Sequence, residues 1–536
     1  MATPDSDAAL PVLVVGAGPV GQTVAALLAH WGVGVRLLEA RSVRDAVGSK
    51  AICHARDVLD IWDVIGVGES LAEEGTTWTT ARTFFKNCEL ASWQFQDRGR
   101  SAFPPFVNIG QERTEALLDA ALGRLGVVTE WGTELLAVHQ TANDVIARFR
   151  GPVGESEIRG AYLVIATGAR SDAIREQLGL EFAGESFDDP FLICDIKANL
   201  PGWETERRFY FDPEWNPGRQ VLIHACPGST YRIDWQVPAD YDLAQDEASG
   251  GLDQRIKQII GTHTYEIVWK SVYRFHSRQT ERMQVGRVLL AGDVAHLVSP
   301  FGARGLNSGI FDAENAAWKV AFASKGWAGP RLIESYDAER TAAARENIAV
   351  TSTTMRFLVP QDEEASQQRR RVLMAALADP SSARDVDSGR FAEPFWYVDS
   401  PLTTSDPVRP FEGRPPKGST PAPAPGILVP DLPVTLAGRP DVRRLRQLFR
   451  GGLTVLVTEA DEAATVIQSL RKVTAAPVET LALSQVCGGA NIMNVLAMQP
   501  GEAWIVRPDA YVAAVVPAAD IETIETATSR VLGFAP

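Results

Sequence analysis

The amino-acid sequence predicts an α/β fold: a Rossmann-like nucleotide-binding domain with an inserted β-rich domain, followed by a C-terminal α/β module. Three observations predict this fold. A strand–helix–strand pattern opens the chain, a buried strand and a helix return near residue 288 after a run of alternating strands, and eight prolines within residues 401–425 precede a second α/β stretch.

The first forty residues indicate a βαβ unit. Pro11–Val15 is a short apolar run, which is typical of a strand buried on both faces. The Ala/Leu-rich segment Val20–Trp31 favours a helix, and Val33–Leu38 favours the second strand.

A glycine-rich turn, Gly16-Ala-Gly18-Pro-Val-Gly21, joins this strand to the helix, and Glu39 follows the second strand. The glycines permit a tight turn, close approach of a pyrophosphate and close helix packing, and the helix N-terminus attracts phosphate. A carboxylate at Glu39 can accept hydrogen bonds from ribose hydroxyls. The motif predicts dinucleotide binding without distinguishing FAD from NAD. Its predicted contacts are Gly16, Gly18, Pro19, Val20, Gly21, Glu39, Ala40 and Arg41.

The middle of the chain adds three further elements. Gln111–Leu125 has apolar residues at helical spacing, and Ala161–Ala166 is another buried strand. Residues 190–237 alternate between apolar and polar side chains, as in Tyr231, Ile233 and Trp235, which favours antiparallel strands with one wetter face.

A second motif begins where the predicted strand Val288–Ala291 ends, and it leads into a helix from about Leu306 to Ser324. An aspartate at the end of a strand can bind ribityl hydroxyls, and a glycine-rich loop lets the backbone lie against a flat ring. The helix N-terminus would face the pyrimidine edge of a flavin, where negative charge develops on reduction. The predicted cofactor contacts in this motif are Gly292, Asp293, Pro300, Gly302, Gly305, Leu306 and Asn307.

The run from Gly292-Asp293 through His296, Pro300 and Asn307 to Trp318-Lys319 resembles the GD motif of class A FAD-dependent aromatic hydroxylases. That group includes p-hydroxybenzoate, phenol and 3-(3-hydroxyphenyl)propionate hydroxylases. The resemblance implies FAD as cofactor, NADPH or NADH as reductant, and dioxygen as co-substrate. It implies hydroxylation of a phenolic or polycyclic aromatic substrate through a flavin hydroperoxide. It also implies a FAD-binding monooxygenase region over residues 1–400, with residues 78–110 and 185–280 mainly forming the substrate sheet.

Three smaller matches accompany this motif. Thr167-Gly168 resembles the family's DG motif, but Thr167 stands where relatives carry Asp, and a hydroxyl supplies no charge. The binding of the nicotinamide cofactor is therefore left open. Lys50 and Gln111 match positions that contact FAD in relatives, and Lys50 and Arg304 would supply local positive charge to the anionic cofactors.

By analogy with the family, the substrate lies under the β-rich insertion. The predicted catalytic and substrate residues are His54, Arg56, Tyr210, His224, Arg232 and Gln236, with Pro300 beside the path of the flavin ring. Each also has a structural interpretation, since Arg232 and Asp234, for example, can form an ion pair. The sequence alone identifies no general base, because a base must reach the phenolic proton.

The proline-rich segment 401–425 is predicted to be a stiff linker. Residues 426–536 follow as a separate module, in which Arg507-Pro508-Asp509 resembles a segment of the thioredoxin-like C-terminal domain of phenol hydroxylase-type relatives. Cys487 is the one cysteine of this module, which excludes dithiol chemistry.

Composition limits the remaining classes of function. With 52 Lys and Arg against 67 Asp and Glu, the net charge of −15 argues against nucleic acid or an anionic membrane as partner. Five scattered cysteines and seven histidines show no metal-ligand spacing, so no metal is predicted. The uncharged run from Ala8 to Val35 contains the glycine turn and is not expected to span a membrane. The expected setting is the cytoplasm, as a monomer or homodimer.

Three alternatives remain at this stage. One is Baeyer–Villiger insertion or another flavin oxidation on the same fold. Another is a FAD-binding protein without monooxygenase turnover, which the threonine at Thr167 favours. A plain NAD-dependent dehydrogenase is disfavoured by the Gly292-Asp293 segment.

Overall fold

A computed structural model describes residues 9–44, 51–94, 101, 103–187, 189–386, 389–416, 419–436 and 439–534. Lys50, predicted to contact FAD, lies outside these residues. The strands are β1 (Val12–Val15), β2 (Val35–Glu39), β3 (Cys53–Ala55), β4 (Thr80–Phe85), β5 (Cys88–Gln94), β6 (Phe106–Asn108), β7 (Thr129–Trp131), β8 (Glu134–Gln140), β9 (Val145–Gly151), β10 (Gly154–Gly160), β11 (Leu163–Ile165), β12 (Phe182–Ser186), β13 (Phe191–Ala198), β14 (Glu206–Phe211), β15 (Gln220–Cys226), β16 (Thr230–Gln236), β17 (Tyr265–Tyr273), β18 (His276–Thr280), β19 (Gln284–Val285), β20 (Val288–Leu290), β21 (His296–Leu297), β22 (Leu453–Val457), β23 (Val478–Ala482), β24 (Glu502–Val506) and β25 (Val512–Pro517).

The helices lie mainly on the faces of the sheets that these strands form. They are α1 (Pro19–His30), α2 (Arg56–Asp63), α3 (Gly68–Glu74), α4 (Gln111–Arg124), α5 (Asp172–Gln177), α6 (Leu243–Ala248), α7 (Gly251–Ile260), α8 (Arg304–Ser324), α9 (Arg331–Leu358), α10 (Glu363–Ala378), α11 (Ala460–Val473), α12 (Gly489–Leu496) and α13 (Ile521–Val531).

A six-stranded sheet in the order β19-β20-β11-β1-β2-β7 forms the frame of the first part of the chain. Its strands are parallel except for β19 at one edge. All four residues of β1 are buried, as the apolar run predicts for a strand covered on both faces. The main core lies between this sheet and the helices packed on it, with Val14, Leu28 and Ile310 among its fully buried members. The mixed α/β architecture predicted from the sequence is confirmed.

The β-rich insertion forms a seven-stranded sheet in the order β17-β13-β16-β15-β14-β4-β5. Every neighbouring pair is antiparallel except β14 and β4. The antiparallel strands expected over residues 190–237 are present as β13 to β16. Smaller sheets join β8 to β10, β12 with β18 and β21, and β3 with β6.

Helix α8 begins at Arg304, two residues before the predicted start. Gly302 has φ of +96° and Ala303 has φ of +56°, so the chain reverses in left-handed backbone immediately before the helix. The predicted start near Leu306 was therefore slightly late, because a non-glycine residue in this conformation gives no sequence signal.

The C-terminal module contains a four-stranded sheet in the order β23-β22-β24-β25. Several described residues of the proline-rich segment before it pack against the rest of the chain. Leu402 is buried against the core of this module, and the N–H of Thr404 donates to the carbonyl of Ala513 at 2.8 Å. The Arg414 guanidinium lies over the Trp396 ring, 4.4 Å from its centroid.

A buried carboxylate, Glu339 on α9, connects the C-terminal module to the first part of the chain. It accepts hydrogen bonds from Lys319 Nζ on α8 at 2.6 Å and from Arg507 Nη1 at 2.5 Å, and all three side chains are fully buried. Arg507 also pairs with Asp509. Burial alone would raise the pKa of Glu339, but Arg507 and Lys319 outweigh it and lower the pKa well below its usual range.

A second buried contact, here called the tail–α2 cluster, joins three arginines of the C-terminal module to three aspartates of α2. Burial opposes ionisation of Asp60, but the surrounding guanidinium groups hold its pKa below the usual range. The ion pairs of the tail–α2 cluster are Arg444–Asp60 at 2.6 Å, Arg444–Asp63 at 2.5 Å, Arg446–Asp57 at 2.6 Å and Arg450–Asp60 at 2.8 Å.

The described residues contain neither a candidate membrane span nor a candidate metal site. No helix in this part of the chain combines the length and apolar character needed to cross a membrane. No three His, Cys, Asp or Glu side chains among these residues are grouped as ligands for a metal ion.

Candidate functional site

The three glycines of the turn between β1 and α1 differ in their surroundings. Gly16 has φ of +102°, and a Cβ on it would collide with the carbonyl of Ala166. A Cβ on Gly21 would collide with the carbonyl of Gly16. At Gly18, by contrast, no described atom lies within 4 Å of the Cβ position. The first and third glycines therefore permit packing, whereas the second leaves space at the N-terminus of α1 that a pyrophosphate fits.

Val20 joins the two glycine-rich motifs. Pro19 occupies the first turn of α1, and Val20 follows it. A Cβ on Gly292, whose φ is +73°, would lie 3.1 Å from Val20 Cγ2. The next residue, Asp293, is exposed in a single 3₁₀ turn at the end of β20. The turn that carries Asp293 therefore lies beside α1, as one dinucleotide bound across both motifs requires.

Glu39 is held in place at the end of β2. Its carboxylate accepts the N–H of Ala17 at 2.7 Å and the backbone N–H and Nε of Arg41 at 3.0 Å each. Burial would raise the pKa of Glu39, but the hydrogen bonds from Arg41 and Ala17 outweigh it and lower the pKa. Ala40 is exposed beside it. An ionised, fixed carboxylate next to the glycine turn fits the hydroxyls of a ribose.

Arg44, which sequence reasoning did not identify, reaches the same turn. Its Nη1 donates to the carbonyl of Ala17 at 3.0 Å and to Glu115 on α4 at 2.7 Å, and its Nε donates to Asp119 at 2.7 Å. The predicted FAD contact Gln111 donates to the same Glu115 at 2.8 Å. Arg44 and Gln111 therefore belong to one polar group beside the turn, centred on Glu115 of α4, in which the charge of Arg44 is met by Glu115 and Asp119.

The predicted role of Arg304 as a cation facing the cofactor is wrong. Arg304 is buried, and its guanidinium donates to the carbonyls of Arg390 at 3.1 Å and Phe391 at 2.9 Å and to Asn347 at 2.6 Å. A Cβ on Gly302 would collide with the Arg390 carbonyl. This arginine therefore anchors the segment around residues 390–391 against the loop that precedes α8.

Asn307, in the first turn of α8, ties this loop to β3. Its Oδ1 accepts the N–H of Ala55 at 2.9 Å, and its Nδ2 donates to the carbonyl of Cys53 at 3.0 Å. Leu306 beside it packs against the main core. Since Pro300 and Gly305 bound the loop, the segment predicted to lie against the flavin ring is fixed relative to β3.

The seven-stranded sheet presents polar side chains to β3 and this loop. Its other face is covered by α7, through a core that includes Ile233 and Ile256. On the face toward β3, four polar residues are paired across adjacent strands and form what we call the polar row. Its members are Asp195 on β13, Arg232 on β16, His224 on β15 and Arg207 on β14. Cys226, on the same face of β15 as His224, packs in one cluster with Cys53 and Ala303, which places the row beneath β3 and the loop.

Charge in the polar row is partly compensated. Arg232 donates to both oxygens of Asp195, at 2.7 and 2.8 Å. Burial lowers the pKa of Arg207 to about 10, so it is a cation near neutral pH. Burial, together with the charges of Arg207 and Arg232, lowers the pKa of His224 well below its usual value, which keeps the imidazole neutral.

The sequence allowed an ion pair between Arg232 and Asp234. In the structure Arg232 pairs instead with Asp195, which stands directly opposite it on β13. Asp234 lies on the same face, between Ile193 and Leu222 of the neighbouring strands. Its Oδ1 is buried and has no hydrogen-bond partner among the described residues. Burial raises the pKa of Asp234 to about 7; Arg232 opposes the rise, and Asp195 adds to it.

Of the other predicted substrate residues, His54 and Tyr210 lie away from the polar row. The fully buried His54 ring packs edge-on against Trp62 at 5.1 Å, with Nε2 2.9 Å from Thr114 Oγ1, and burial lowers its pKa to about 3. Tyr210 stacks on Phe84 at 4.5 Å, on the opposite face of the sheet from Arg207 by strand alternation.

Gln236 and Arg56 lie closer to the predicted site. Gln236 shares the face of Asp234, and its Nε2 donates to Asp189 at 2.6 Å. Arg56 is the half-buried first residue of α2, directly after β3. The structure therefore brings His224, Arg232 and Gln236 to one face, with Arg56 on the element that follows β3.

Sequence reasoning missed Arg207 and Asp195 as members of the site. Arg207 alternates with Phe209 and Phe211 on β14, which is a visible period-two signal. The signal does not state which residue on the next strand stands opposite, and that register decides which charges meet.

Ionisation of Asp234 gives a test that requires no ligand. A carboxyl whose folded-state pKa lies above its unfolded value contributes stability below the unfolded pKa, and this is lost as pH rises through the folded value. Asp234→Asn should therefore raise the melting temperature by several degrees at pH 8 and by roughly a third as much at pH 5. The measurement is thermal unfolding at both pH values beside the exposed control Asp240→Asn; equal melting temperatures for the two variants at pH 8 would contradict the assignment.

Comparison with known proteins places these features among flavoproteins. A family model described as FAD binding domain matches residues 9–351, and one described as aromatic-ring hydroxylase, C-terminal, matches residues 422–535. The chain is 27% identical over 532 residues to a 6-methylpretetramide 4-monooxygenase of Streptomyces rimosus, covering 94% of this chain and 90% of the relative. It is 28% identical over 418 residues to a 3-(3-hydroxy-phenyl)propionate/3-hydroxycinnamic acid hydroxylase of Mycolicibacterium smegmatis, covering 75% and 72%.

One solved structure has the same fold over nearly its whole length. The crystal structure of the flavin-dependent monooxygenase PieE in complex with FAD and substrate matches with a TM-score of 0.84 and 23% identity, covering 98% of this chain and 100% of that chain. This likeness extends to both parts of the chain and to the sheet that carries the polar row.

Proposed function

This chain belongs to the FAD-dependent aromatic-ring hydroxylases, and from that premise we propose that it is an NAD(P)H-driven monooxygenase that hydroxylates a phenolic or polycyclic aromatic compound. When bound, FAD supplies the transfer of electrons from the nicotinamide to dioxygen and the delivery of one oxygen atom to the ring. The residues of this chain have to bind the cofactor, position the ring and exclude water.

The single observation that carries the proposal is the arrangement at Asn307. This side chain joins the loop beside the predicted flavin position to β3, and the polar row lies beneath β3. A flat ring placed between them would face the cofactor on one side and fixed polar groups on the other. That is the geometry a hydroxylase needs, because oxygen transfer requires a held ring in a water-poor site.

The residues present fit FAD. Gly18 leaves room at the N-terminus of α1, and Glu39 supplies an ionised carboxylate at the neighbouring strand end. In this proposal Glu39 holds the ribose, the N-terminus of α1 holds the pyrophosphate, and Asp293 holds the ribityl chain. We assign the βαβ unit to the Rossmann-like type on the same grounds.

The substrate class follows from the relatives. One is named as a monooxygenase of 6-methylpretetramide, and one as a hydroxylase of 3-(3-hydroxy-phenyl)propionate, which contains a phenol ring. The aromatic side chains near Arg207 suit a planar ligand, since the Phe391 ring packs against Trp78 and Phe106 at 5.3 and 4.8 Å.

The C-terminal module is proposed to have the thioredoxin-like fold and a structural role. Its four-stranded sheet with α11 and α13 supports the fold assignment. Its single cysteine, Cys487, excludes dithiol chemistry, and its buried ion pairs with α2 and α9 support a structural role.

The proposal is tested by oxidation of NADPH and NADH in the presence of a panel of phenols and aromatic polyketides, with mass analysis of the products. We expect purified protein to carry flavin absorbance, and we expect some aromatic compounds to raise NAD(P)H and dioxygen consumption at least tenfold. A product heavier by one oxygen atom that retains its ring size and gains a ring hydroxyl supports hydroxylation, whereas an expanded ring indicates Baeyer–Villiger insertion. Flavin that stays oxidised with both nucleotides under every compound would refute the proposal.

A further inference from the structure

We propose that Asp234 takes the proton of the substrate's phenolic hydroxyl and that Arg207 stabilises the phenolate, which makes the site selective for rings with a free hydroxyl group. This inference rests on the proposed function and assigns to one side chain a role that sequence and comparison leave unassigned.

Asp234 lies on the side of the sheet that the loop before α8 covers. It belongs to a cross-strand row in which it pairs with Leu222 on β15, and Leu222 pairs with Phe209 on β14. The loop residue Phe301 packs on Phe209 with ring centroids 6.1 Å apart, and on Phe191 at 5.5 Å. The loop before α8 therefore covers the row that contains Asp234, so the carboxyl group faces the side where the flavin is expected.

The carboxyl group of Asp234 lies among apolar side chains and has an unsatisfied acceptor. The flanking side chains of Ile193 and Leu222 are apolar, and the carboxyl Oδ1 is buried without a hydrogen-bond partner among the described residues. The side chain as a whole is only half-buried, so part of it borders open space. A buried acceptor without a donor is costly, and a phenolic O–H would satisfy it.

Other titratable groups facing this region are poorer bases. Asp195 already accepts two hydrogen bonds from Arg232. His224 is held neutral with a pKa well below its usual value, because it is buried beside Arg207 and Arg232. The charged groups that act on Asp234 come from its own strand (Arg232), from β13 (Asp195) and from β14 (Arg207). Burial raises the pKa of Asp234 to about 7; Arg232 and Arg207 oppose this rise, and Asp195 adds to it. A base with this pKa suits proton transfer near neutral pH.

Arg207 supplies the positive charge. Its guanidinium lies over the rings of Phe209 and Phe391, 5.3 and 5.1 Å from their centroids, in a buried position on the strand next but one to Asp234. A cation in a water-poor site stabilises a phenolate more strongly than it would in water.

The proton balance is closed within the site. The phenolic O–H bond breaks, its proton moves to a carboxylate oxygen of Asp234, and the electron pair stays on the phenolate oxygen. The phenolate makes the ortho and para ring carbons nucleophilic toward the oxygen atom that the proposed reaction delivers. That carbon then loses its hydrogen as a proton when the ring becomes aromatic again, and this proton leaves in the water that carries the second oxygen atom of dioxygen. The proton held by Asp234 returns to the product hydroxyls.

Binding to the oxidised holoenzyme tests recognition without turnover. The probes are 2-naphthol and 2-methoxynaphthalene, which differ in the phenolic proton, and equilibrium dialysis gives their dissociation constants. Wild-type protein should prefer 2-naphthol about tenfold. Asp234→Asn keeps an acceptor and should retain the preference to within threefold, whereas Asp234→Leu should lose it; the exposed control Asp240→Asn should match wild type. Equal preference in wild type and Asp234→Leu, or no preference in wild type, would overturn the assignment.

The dependence of hydroxylation rate on pH tests proton transfer. The wild-type rate with 2-naphthol should fall as pH drops through about 7, because Asp234 becomes protonated. Asp234→Asn should be roughly a hundredfold slower at pH 7. The rate of this variant should rise with pH as 2-naphthol ionises in solution. The difference in rate between the variant and wild type should then shrink to less than tenfold. A variant that follows the wild-type profile at every pH would refute the role of base. Failure of every aromatic compound to stimulate wild-type NADPH oxidation would instead refute the proposed function, and the binding preference would then still decide the role of Asp234 in recognition.

Discussion

Replacing Glu339 with glutamine is expected to lower the free energy of unfolding by about 3–5 kcal/mol. The carboxylate receives hydrogen bonds from Lys319 and Arg507, and all three side chains are fully buried. Removing its charge leaves two buried cations. Among the described residues, Arg507 keeps another carboxylate partner, Asp509, in direct contact, whereas Lys319 keeps none. The loss should be smaller at pH 9 than at pH 6, because the pKa of Lys319 is already lowered to about 8 by burial and a proton can then be lost.

The measurement is thermal and denaturant unfolding at both pH values, with limited proteolysis to detect release of the C-terminal module. Glu334→Gln is the matched control, since Glu334 lies on the same helix in an exposed position. If Glu339→Gln and Glu334→Gln have the same melting temperature, the buried cluster does not hold the two parts of the chain together.

Replacing Gly18 with alanine is expected to remove most of the bound flavin while leaving the fold intact. The backbone at Gly18 has φ of −76° and ψ of 177°, which any residue adopts, and no described atom lies within 4 Å of the added Cβ. The methyl group would instead occupy space that a pyrophosphate needs. We expect FAD affinity to fall at least tenfold, about 1.4 kcal/mol.

Flavin content after gel filtration and titration of the apoprotein with FAD measure this effect. Gly34→Ala is the control, because Gly34 also has no described atom near its Cβ position but lies at the opposite end of α1 from Gly18. Full flavin in Gly18→Ala would show that the second glycine of the turn does not face the cofactor. A large fall in the melting temperature of the apoprotein would show that it has a packing role after all.

The parts of the fold that were predictable are those that local pattern determines. The apolar run of β1 and the glycine turn after it set strand, turn and helix within twenty residues, and the structure places them there. The alternation in residues 190–237 likewise indicated antiparallel strands. The start of α8 was misplaced by two residues, because a left-handed alanine at Ala303 leaves no mark in the sequence.

The site was less predictable, because its contacts join residues far apart in the chain. Arg304 is a cation in a cofactor motif, yet its partners are the carbonyls of Arg390 and Phe391 more than eighty residues away. An ion pair between Arg232 and Asp234 was one interpretation of the sequence, and only the register between β13 and β16 shows that Asp195 takes that place. Local patterns fix which face a strand residue occupies, whereas cross-strand register fixes its partner.

The tail–α2 cluster has a consequence for engineering by recombination. Three carboxylates on α2 depend on Arg444, Arg446 and Arg450, and α2 follows directly on β3, the strand that Asn307 fixes to the cofactor loop. A chimera whose replacement for the last hundred residues lacks these arginines would therefore carry unmatched acids on α2, next to the candidate site. Exchanging α2 together with the tail keeps the charges paired, so these two distant stretches form the natural unit for shuffling.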